Sequence, residues 1–216
     1  YVQGEGGVRT ARPEWLQALR NFTKDNDILL IVDDIQAGCG RTGSFFSFEE
    51  AAVQPDIISL SKSISGIGLP MAVILFDPAL DTWKPGEHNG TFRGNNLAFV
   101  TATVALETFW KDAAFTKEIA RKGAIIAEHL QAIAEQHPNL VTQVRGRGMF
   151  YGLVINDPEK AGQITKRCFE NGLVIERAGM EDEVVKLLPA LIMSDEDLLS
   201  GLAIISEAVA SVAGSA

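Results

Sequence analysis

Short runs of aliphatic residues alternate along this chain with stretches of helical periodicity, and this alternation constrains the fold more than any other feature. Pro13 to Asn26 has apolar residues at helical spacing and a proline near its first turn, which predicts a helix. It runs into Ile28 to Val32, a β-branched run typical of a buried strand. Ile57 to Leu60 and Ala72 to Phe76 predict two more short strands. Because strands that are apolar on both faces need cover on both sides, an α/β layer with helices on both faces of a sheet is expected.

From Leu97 onward the pattern is first helical and then mixed. Leu97 to Trp110 predicts a buried helix, and Ala113 to Gln136 predicts a long amphipathic one. The later predicted elements are a strand pair or bent strand over Val144 to Ile155, a helix over Ala161 to Glu170, strands over Leu173 to Glu176 and Val184 to Leu188, and a helix over Leu198 to Val212 that opens with a capping box at Ser194. We therefore predict two domains, residues 1–139 and a small α+β domain at residues 140–216.

The composition argues against several classes of protein. A net charge of -9 leaves no basic face for nucleic acid, and the apolar runs are too short to cross a bilayer. Cys39 and Cys168 lie far apart and outside any Cys-x-x-Cys spacing, which argues against a disulfide scaffold and a zinc site, and no metal is expected. The chain opens at Tyr1 with neither an initiator Met nor a leader-like segment. We expect a soluble, cytoplasmic chain that begins in mid-domain.

Polar residues cluster where two of the predicted strands end. The first strand runs into Asp33-Asp34-Ile35-Gln36-Ala-Gly-Cys-Gly-Arg-Thr-Gly43, and the second runs into Ser61-Lys62-Ser63. Ligands of open α/β sheets bind at the carboxyl ends of the strands, so Asp33 and Lys62 are expected to converge on one site. A carboxylate and an amine at such an edge can serve a cofactor that forms a Schiff base.

These motifs resemble those of the class III, fold-type-I pyridoxal-phosphate aminotransferases. The order and spacing of the family are matched by the string from Asp33 to Gly43, by Pro55-Asp56, by Ser61-Lys62-Ser63-Ile-Ser-Gly66, and by His88-Asn-Gly-Thr91-Phe-Arg-Gly-Asn-Asn96. The resemblance also includes Gln3-Gly4-Glu5-Gly6-Gly7. It covers nearly all of this chain but only the C-terminal half of a family member. It implies part of the large cofactor-binding domain, with a mostly parallel sheet, followed by the small α+β C-terminal domain.

The resemblance also implies roles for individual residues around pyridoxal 5'-phosphate. Lys62 would form the covalent link to the cofactor aldehyde and carry a proton, and Asp33 would pair with the pyridine nitrogen. Ile35 would pack on the ring, although core packing is an equal reading, and Gln36 would lie near the phenolic oxygen, unless it is a solvated loop amide. Thr91 would reach the phosphate of the neighbouring subunit's cofactor, which implies a homodimer, unless it is a simple turn residue. Asp34 stands where the family usually has Glu, and the alternative for its shorter side chain is that it only caps a turn.

The resemblance also extends to two residues that would recognise the substrate. Family members that act on distal amines use a Glu, matched here by Glu5, paired with an Arg in the small domain. Lys186 replaces that Arg, and Lys lacks the planar fork that binds a carboxylate at two points. Two alternatives are open for Lys186: its side chain contacts the substrate, or it lies in solvent on an edge strand.

The variants in the motifs resemble those of the ectoine-pathway members of the family. The expected reaction passes an amino group between glutamate and aspartate 4-semialdehyde, giving L-2,4-diaminobutyrate and 2-oxoglutarate. The alternatives are an ornithine-type or siderophore-pathway ω-aminotransferase, or a truncated, non-catalytic fragment that lacks the N-terminal half of the site.

Overall fold

The computed structural model describes residues 1–90 and 93–214, which form two compact units. The first unit contains residues 1, 11–39 and 44–115, and the second contains residues 2–10, 40–43 and the chain from Thr116 onward. In chain order the elements are β1 (Val2–Gln3), β2 (Arg9–Thr10), α1 (Pro13–Asp25), β3 (Ile31–Asp33), β4 (Ile57–Ser61), β5 (Ala72–Phe76), α2 (Asn96–Phe109), α3 (Ala114–Gln136), β6 (Val141–Arg147), β7 (Phe150–Ile155), α4 (Pro158–Glu170), β8 (Glu176–Ala178), β9 (Val184–Leu187) and α5 (Asp195–Ala213). No helix in these two described ranges has both the length and the apolar character needed to cross a membrane.

The first unit is built on a three-stranded sheet in the order β3-β4-β5. β3 and β4 are parallel, whereas β4 and β5 are antiparallel. One face packs on two apolar clusters, which centre on Leu16, Val32 and Phe48 and on Cys39, Leu60 and Ile64. This confirms the predicted α/β class.

The other face of this sheet is open to solvent. Ile31 and Ile74 are 61% and 62% exposed, so within the described residues helices cover one face and not both. The sequence predicts a buried helix from Leu97, and that prediction is wrong for the described residues. α2 buries Ala98 and Ala102, whereas Leu97 and Val100 lie in solvent.

An ion pair ties α1 to the strands of the first unit. Arg20 donates two hydrogen bonds to Asp56, at 2.5 and 2.8 Å, and Leu30 N donates to the same carboxylate at 2.7 Å. This bond holds Leu30 ahead of β3, which therefore begins at Ile31 and is shorter than the predicted strand. The hydrogen bond from Arg20 lowers the pKa of Asp56 below its ordinary 3.8.

We expect Asp56→Asn to lower the free energy of unfolding by about 2 kcal/mol, because charge-assisted hydrogen bonds are lost. A carboxylate with a lower pKa in the folded chain stabilises the fold above its ordinary pKa and loses that contribution as the pH falls through the folded value. The penalty of the substitution should therefore shrink between neutral pH and about pH 3. Urea unfolding at both pH values measures it, and a penalty that does not depend on pH would contradict this account. Glu170→Gln, which removes an exposed carboxylate 3.9 Å from Lys166, is the control.

The second unit contains an antiparallel four-stranded sheet in the order β6-β7-β9-β8, together with the short β1–β2 pair. The apolar stripe of α3 is buried and consists of Ile119, Ile126, Leu130 and Ile133, which confirms the predicted amphipathic character of this helix. α4 begins earlier than predicted, because Asp157 accepts from Glu159 N at 2.8 Å and Pro158 occupies the first turn. The predicted capping box is confirmed at α5, where Ser194 Oγ accepts from Asp197 N. The predicted strand at Leu173 is wrong in position, since β8 begins at Glu176.

Beyond residue 44 the chain passes from the first unit to the second after Phe115, ahead of the predicted domain boundary between residues 139 and 140. α3 groups with the second unit from Thr116 onward because its polar residues bond there: Lys122 Nζ donates to Met193 O at 2.6 Å, and Arg121 pairs with Asp195 at 2.6 Å. The division of the whole protein into domains at residue 139 stays a prediction.

Both cysteines are buried free thiols. Burial raises the pKa of Cys39 to about 12 and that of Cys168 to about 11, so neither forms an appreciable thiolate at neutral pH. We expect the native chain to react very slowly with Ellman's reagent and the denatured chain to release the colour of two thiols. Rapid reaction of either thiol in the native chain would contradict this expectation.

Candidate active site

Asp33 and Lys62 lie at the ends of neighbouring parallel strands in the first unit. Asp33 ends β3 and is paired in register with Ser59 of β4, while Lys62 follows directly after the end of β4. At about 3.3 Å per residue, Lys62 lies roughly 10 Å beyond Ser59 along the strand direction. A lysine side chain and a carboxylate at this separation can contact opposite ends of one aromatic ring.

The backbone of Lys62 adopts an unfavourable conformation. Its φ of 52° lies in the left-handed region, which costs a non-glycine residue free energy of order 1 kcal/mol. Strain of this kind persists where surrounding structure enforces it, and it is frequent at functional sites. Here Ser61 Oγ donates to Met71 O at 2.6 Å, and Gly66 N donates to Ser63 O at 3.0 Å, which bracket Lys62. The side chain of Lys62 is exposed.

The residues after Asp33 form a tightly packed loop. Asp33 Oδ1 accepts from Ile35 N at 3.0 Å, so its carboxylate is oriented by its own loop. Ile35 and Gln36 are half-buried. Asp34 is buried, and its Oδ2 accepts from Ser47 N at 2.8 Å, so it supports the fold of the loop. A Cβ at Gly38 would approach Asp34 O within 2.7 Å, which explains the glycine in this motif. Thr91 lies outside the described residues.

In the second unit, Lys186 is held between two carboxylates. Lys186 Nζ lies 2.6 Å from Glu5 Oε1 and 3.1 Å from Glu176 Oε2. The Lys186 side chain is 0% exposed, while the Glu5 and Glu176 side chains are 72% and 65% exposed. β9 lies between β7 and β8, so the alternative of a solvated lysine on an edge strand is wrong. The Glu5–Lys186 pair that the resemblance allowed is present.

Arg41 of the first motif has a structural position that sequence reasoning did not assign. Its guanidinium donates to Pro189 O, just beyond β9, and to Met149 O at 3.5 Å. Burial lowers the pKa of Arg41 to about 10. Arg41 therefore anchors the chain that leaves β9, three residues after Lys186. The sequence signal for this role is the position of Arg41, a basic residue, within a glycine-rich segment.

A cavity of about 190 Å³ adjoins the Lys186 cluster. The chain ahead of β8, the end of β9 and α5 line it, and its lining includes Glu176, Lys186, Leu187 and Leu198. The Lys186 side chain is fully buried, so its charge is screened less than that of a surface lysine. Glu176 was the other residue that sequence reasoning missed, because no motif marks which residue pairs with Lys186 across the sheet.

The predicted site residues therefore form two groups, one in each unit. Asp33, Ile35, Gln36 and Lys62 belong to the first, and Glu5 and Lys186 belong to the second. Within the first group the strand register brings the acid and the amine to one sheet edge. Within the second group the ion pair is direct.

Comparison with known proteins identifies the family. The family model for class-III aminotransferases matches residues 1–209. The chain is 57% identical over 210 residues to a diaminobutyrate–2-oxoglutarate transaminase of Bordetella parapertussis, covering 97% of this chain and 48% of the relative. It is 56% identical over 209 residues to the protein of the same name from Streptomyces coelicolor, covering 96% and 49%.

A solved structure gives the same answer for the fold. The ornithine aminotransferase from Toxoplasma gondii superposes with a TM-score of 0.90 at 29% identity, covering 100% of this chain and 51% of that one. The chain spans about half the length of the curated relatives it matches. Since the family model matches nearly the whole sequence, the chain belongs to the class-III aminotransferase family.

Proposed function

We propose that this chain supplies part of the active site of an aminotransferase that depends on pyridoxal 5'-phosphate. The observation that carries the proposal is the placement of Asp33 and Lys62 at the ends of two neighbouring parallel strands, with Lys62 held in a strained backbone conformation. The two curated relatives described above bear the name of one transaminase, which favours the exchange between glutamate and L-2,4-diaminobutyrate. In ectoine biosynthesis this exchange consumes aspartate 4-semialdehyde.

The residues at the sheet edge fit the proposed cofactor. When bound, pyridoxal 5'-phosphate supplies an electron sink for charge that develops on the substrate carbon. The Lys62 amine would attach the cofactor and then take and return the substrate proton. The Asp33 carboxylate, oriented by Ile35 N, would hold a proton on the ring nitrogen. Ile35 would pack on the ring, Gln36 would lie near the phenolic oxygen, and Thr91 would donate to a phosphate.

On the substrate side, Glu5 and Lys186 distinguish the two amino donors. With the pair closed, the two opposite charges neutralise each other, which suits an ω-amine whose carboxylate is bound elsewhere. With Glu5 turned away, the Lys186 ammonium donates to the α-carboxylate of glutamate and binds it. The ammonium offers a single-point contact and not the fork of an arginine, so this carboxylate is held more loosely than in relatives with Arg.

Assembly and location follow from the same proposal. Thr91 reaching the cofactor of a second copy makes the active form a homodimer. A cytoplasmic location agrees with two reduced, buried thiols and with substrates that are small amino and keto acids.

A second candidate is that this stretch of chain does not catalyse by itself and requires further sequence to complete its site. The exposed apolar residues Ile31 and Ile74 on one sheet face, together with the match to about half of each relative, favour this candidate. The two candidates share the same residues and differ in whether this chain alone binds the cofactor.

The test compares this chain with the same chain extended at its N-terminus to the length of its relatives (the extended chain). Titration with pyridoxal 5'-phosphate, followed by absorbance, should yield a bound, coloured form of the extended chain. That form should lose its colour with glutamate and with diaminobutyrate, and more slowly with ornithine. A faster reaction with ornithine would reassign the donor, and no reaction with any amino donor would overturn the proposed function. Cofactor binding by the shorter chain alone would overturn the second candidate.

A further inference from the structure

Glu176 contacts Lys186 because of the way the strands pair. The two residues are direct partners in the β8–β9 register, and the atoms Lys186 Nζ and Glu176 Oε2 are 3.1 Å apart. On the other side of β9, the partner of Lys186 is Gly152 of β7, which has no side chain. Cross-strand partners lie close together on the same face of a sheet. The strand register therefore keeps Glu176 beside Lys186 on the same face of the sheet.

The contact with Glu5 has a different origin. Glu5 lies in a tight turn, where Gly7 N and Val8 N both donate to Gly4 O at 3.1 Å. Its own carbonyl accepts from Gly179 N at 2.9 Å, which anchors the backbone. The side chain, by contrast, is 72% exposed. Rotation of this side chain into water moves no backbone atom, so Glu5 is a movable partner of Lys186.

The burial of Lys186 explains why two carboxylates are needed. A fully buried ammonium that loses its only counter-charge is strongly destabilised. With Glu176 in place, Lys186 stays paired when Glu5 turns away. An ammonium has three N–H donors, so an incoming carboxylate can take the place of Glu5 and restore two carboxylates around one cation.

From this geometry we propose that Glu176 is a positioning residue that keeps Lys186 paired and in place while Glu5 moves, and thereby determines how readily the site accepts an α-carboxylate. The inference rests on the proposed function and deepens it. Glu176 lowers the cost of opening the Glu5–Lys186 pair. Without Glu176, Glu5 is the remaining carboxylate beside the Lys186 ammonium. Opening the Glu5–Lys186 pair then leaves this buried cation without a counter-charge.

The experiment measures the two half-reactions separately in the extended chain, from the change in cofactor absorbance with each amino donor. Glu176→Gln should lower kcat/KM for glutamate by about tenfold, because opening the pair now exposes an unpaired buried ammonium. The half-reaction with diaminobutyrate, which uses the closed pair, should stay within about twofold. Glu5→Gln should instead favour the half-reaction with glutamate over the half-reaction with diaminobutyrate, since Lys186 is then permanently available to a carboxylate.

The controls separate this inference from a loss of folding and from failure of the proposed function. Glu170→Gln removes an exposed carboxylate of the same unit and should leave both half-reactions unchanged. Equal slowing of both half-reactions in Glu176→Gln, or no slowing with glutamate, would overturn the role of Glu176. If Glu176→Gln does not fold, Glu176→Asp, which keeps the charge on a shorter side chain, should show a smaller loss confined to glutamate, and a loss shared by both donors would overturn the role. A wild-type protein that is inactive with every donor contradicts the proposed function instead.

Discussion

Lys62→Ala in the extended chain should abolish transamination, with a fall of roughly 10³-fold or more, because one amine performs both the covalent attachment and the proton transfer. The strained backbone of Lys62 is tolerated by alanine about as well as by lysine, so the fold should survive the change. The loss should therefore appear in the chemistry and not in the free energy of unfolding.

A second readout does not depend on activity. Reduction with borohydride in the presence of pyridoxal 5'-phosphate should attach the cofactor permanently to the peptide that contains Lys62, and mass spectrometry detects it. The matched control is Lys166→Ala, a change at an exposed lysine that follows no strand. A reduced cofactor found on another lysine, or a Lys62→Ala variant that still transaminates, would remove Lys62 from the proposed mechanism.

Gly123→Ala should destabilise the second unit by about 3 kcal/mol or more, because overpacking against fixed backbone cannot relax. A Cβ at this position of α3 would lie 2.3 Å from Gly148 O. Gly148 itself has a φ of 59°, and a Cβ there would lie 2.6 Å from Gly43 N. Three backbone segments are thus in close contact, which leaves no room for a methyl group.

The matched control is Gly201→Ala in α5. Its added Cβ would meet Leu173 Cδ1 at 3.6 Å, an ordinary contact. Alanine is the better helix former at both positions, so Gly201→Ala should stabilise the chain by about 0.5–1 kcal/mol. Urea unfolding of the two variants measures the difference. If Gly123→Ala proved as stable as Gly201→Ala, the close contact between α3 and Gly148 would be refuted.

The helices and strands with strong local signals were predicted well. The stripe of α3, the capping box of α5 and the strand β5 follow from periodicity and from capping chemistry, which act within a few residues. The wrong predictions occur where a residue far away in the chain determines where a strand begins. β3 starts late because Leu30 N binds Asp56, and β8 starts late because its pairing with β9 begins only at Glu176.

The candidate site shows the same division. Asp33, Ile35, Gln36, Lys62, Glu5 and Lys186 were all named from their positions in motifs that resemble those of the family. The sequence left open whether Lys186 lies on an exposed edge strand. The strand order excludes an edge position, because β9 lies inside the sheet. Arg41 and Glu176 were missed because their partners, Pro189 and Lys186, are determined by packing and register.

The sequence by itself determined the family, the α/β class and the residues available for the proposed chemistry, because motif spacing and apolar periodicity are local properties of the chain. Only the tertiary structure decided that Lys186 is fully buried between two carboxylates and that one sheet face remains exposed. Both depend on which segments pair and which surfaces find a partner. These are properties of contacts between residues far apart in the chain, and a sequence pattern read locally does not contain them.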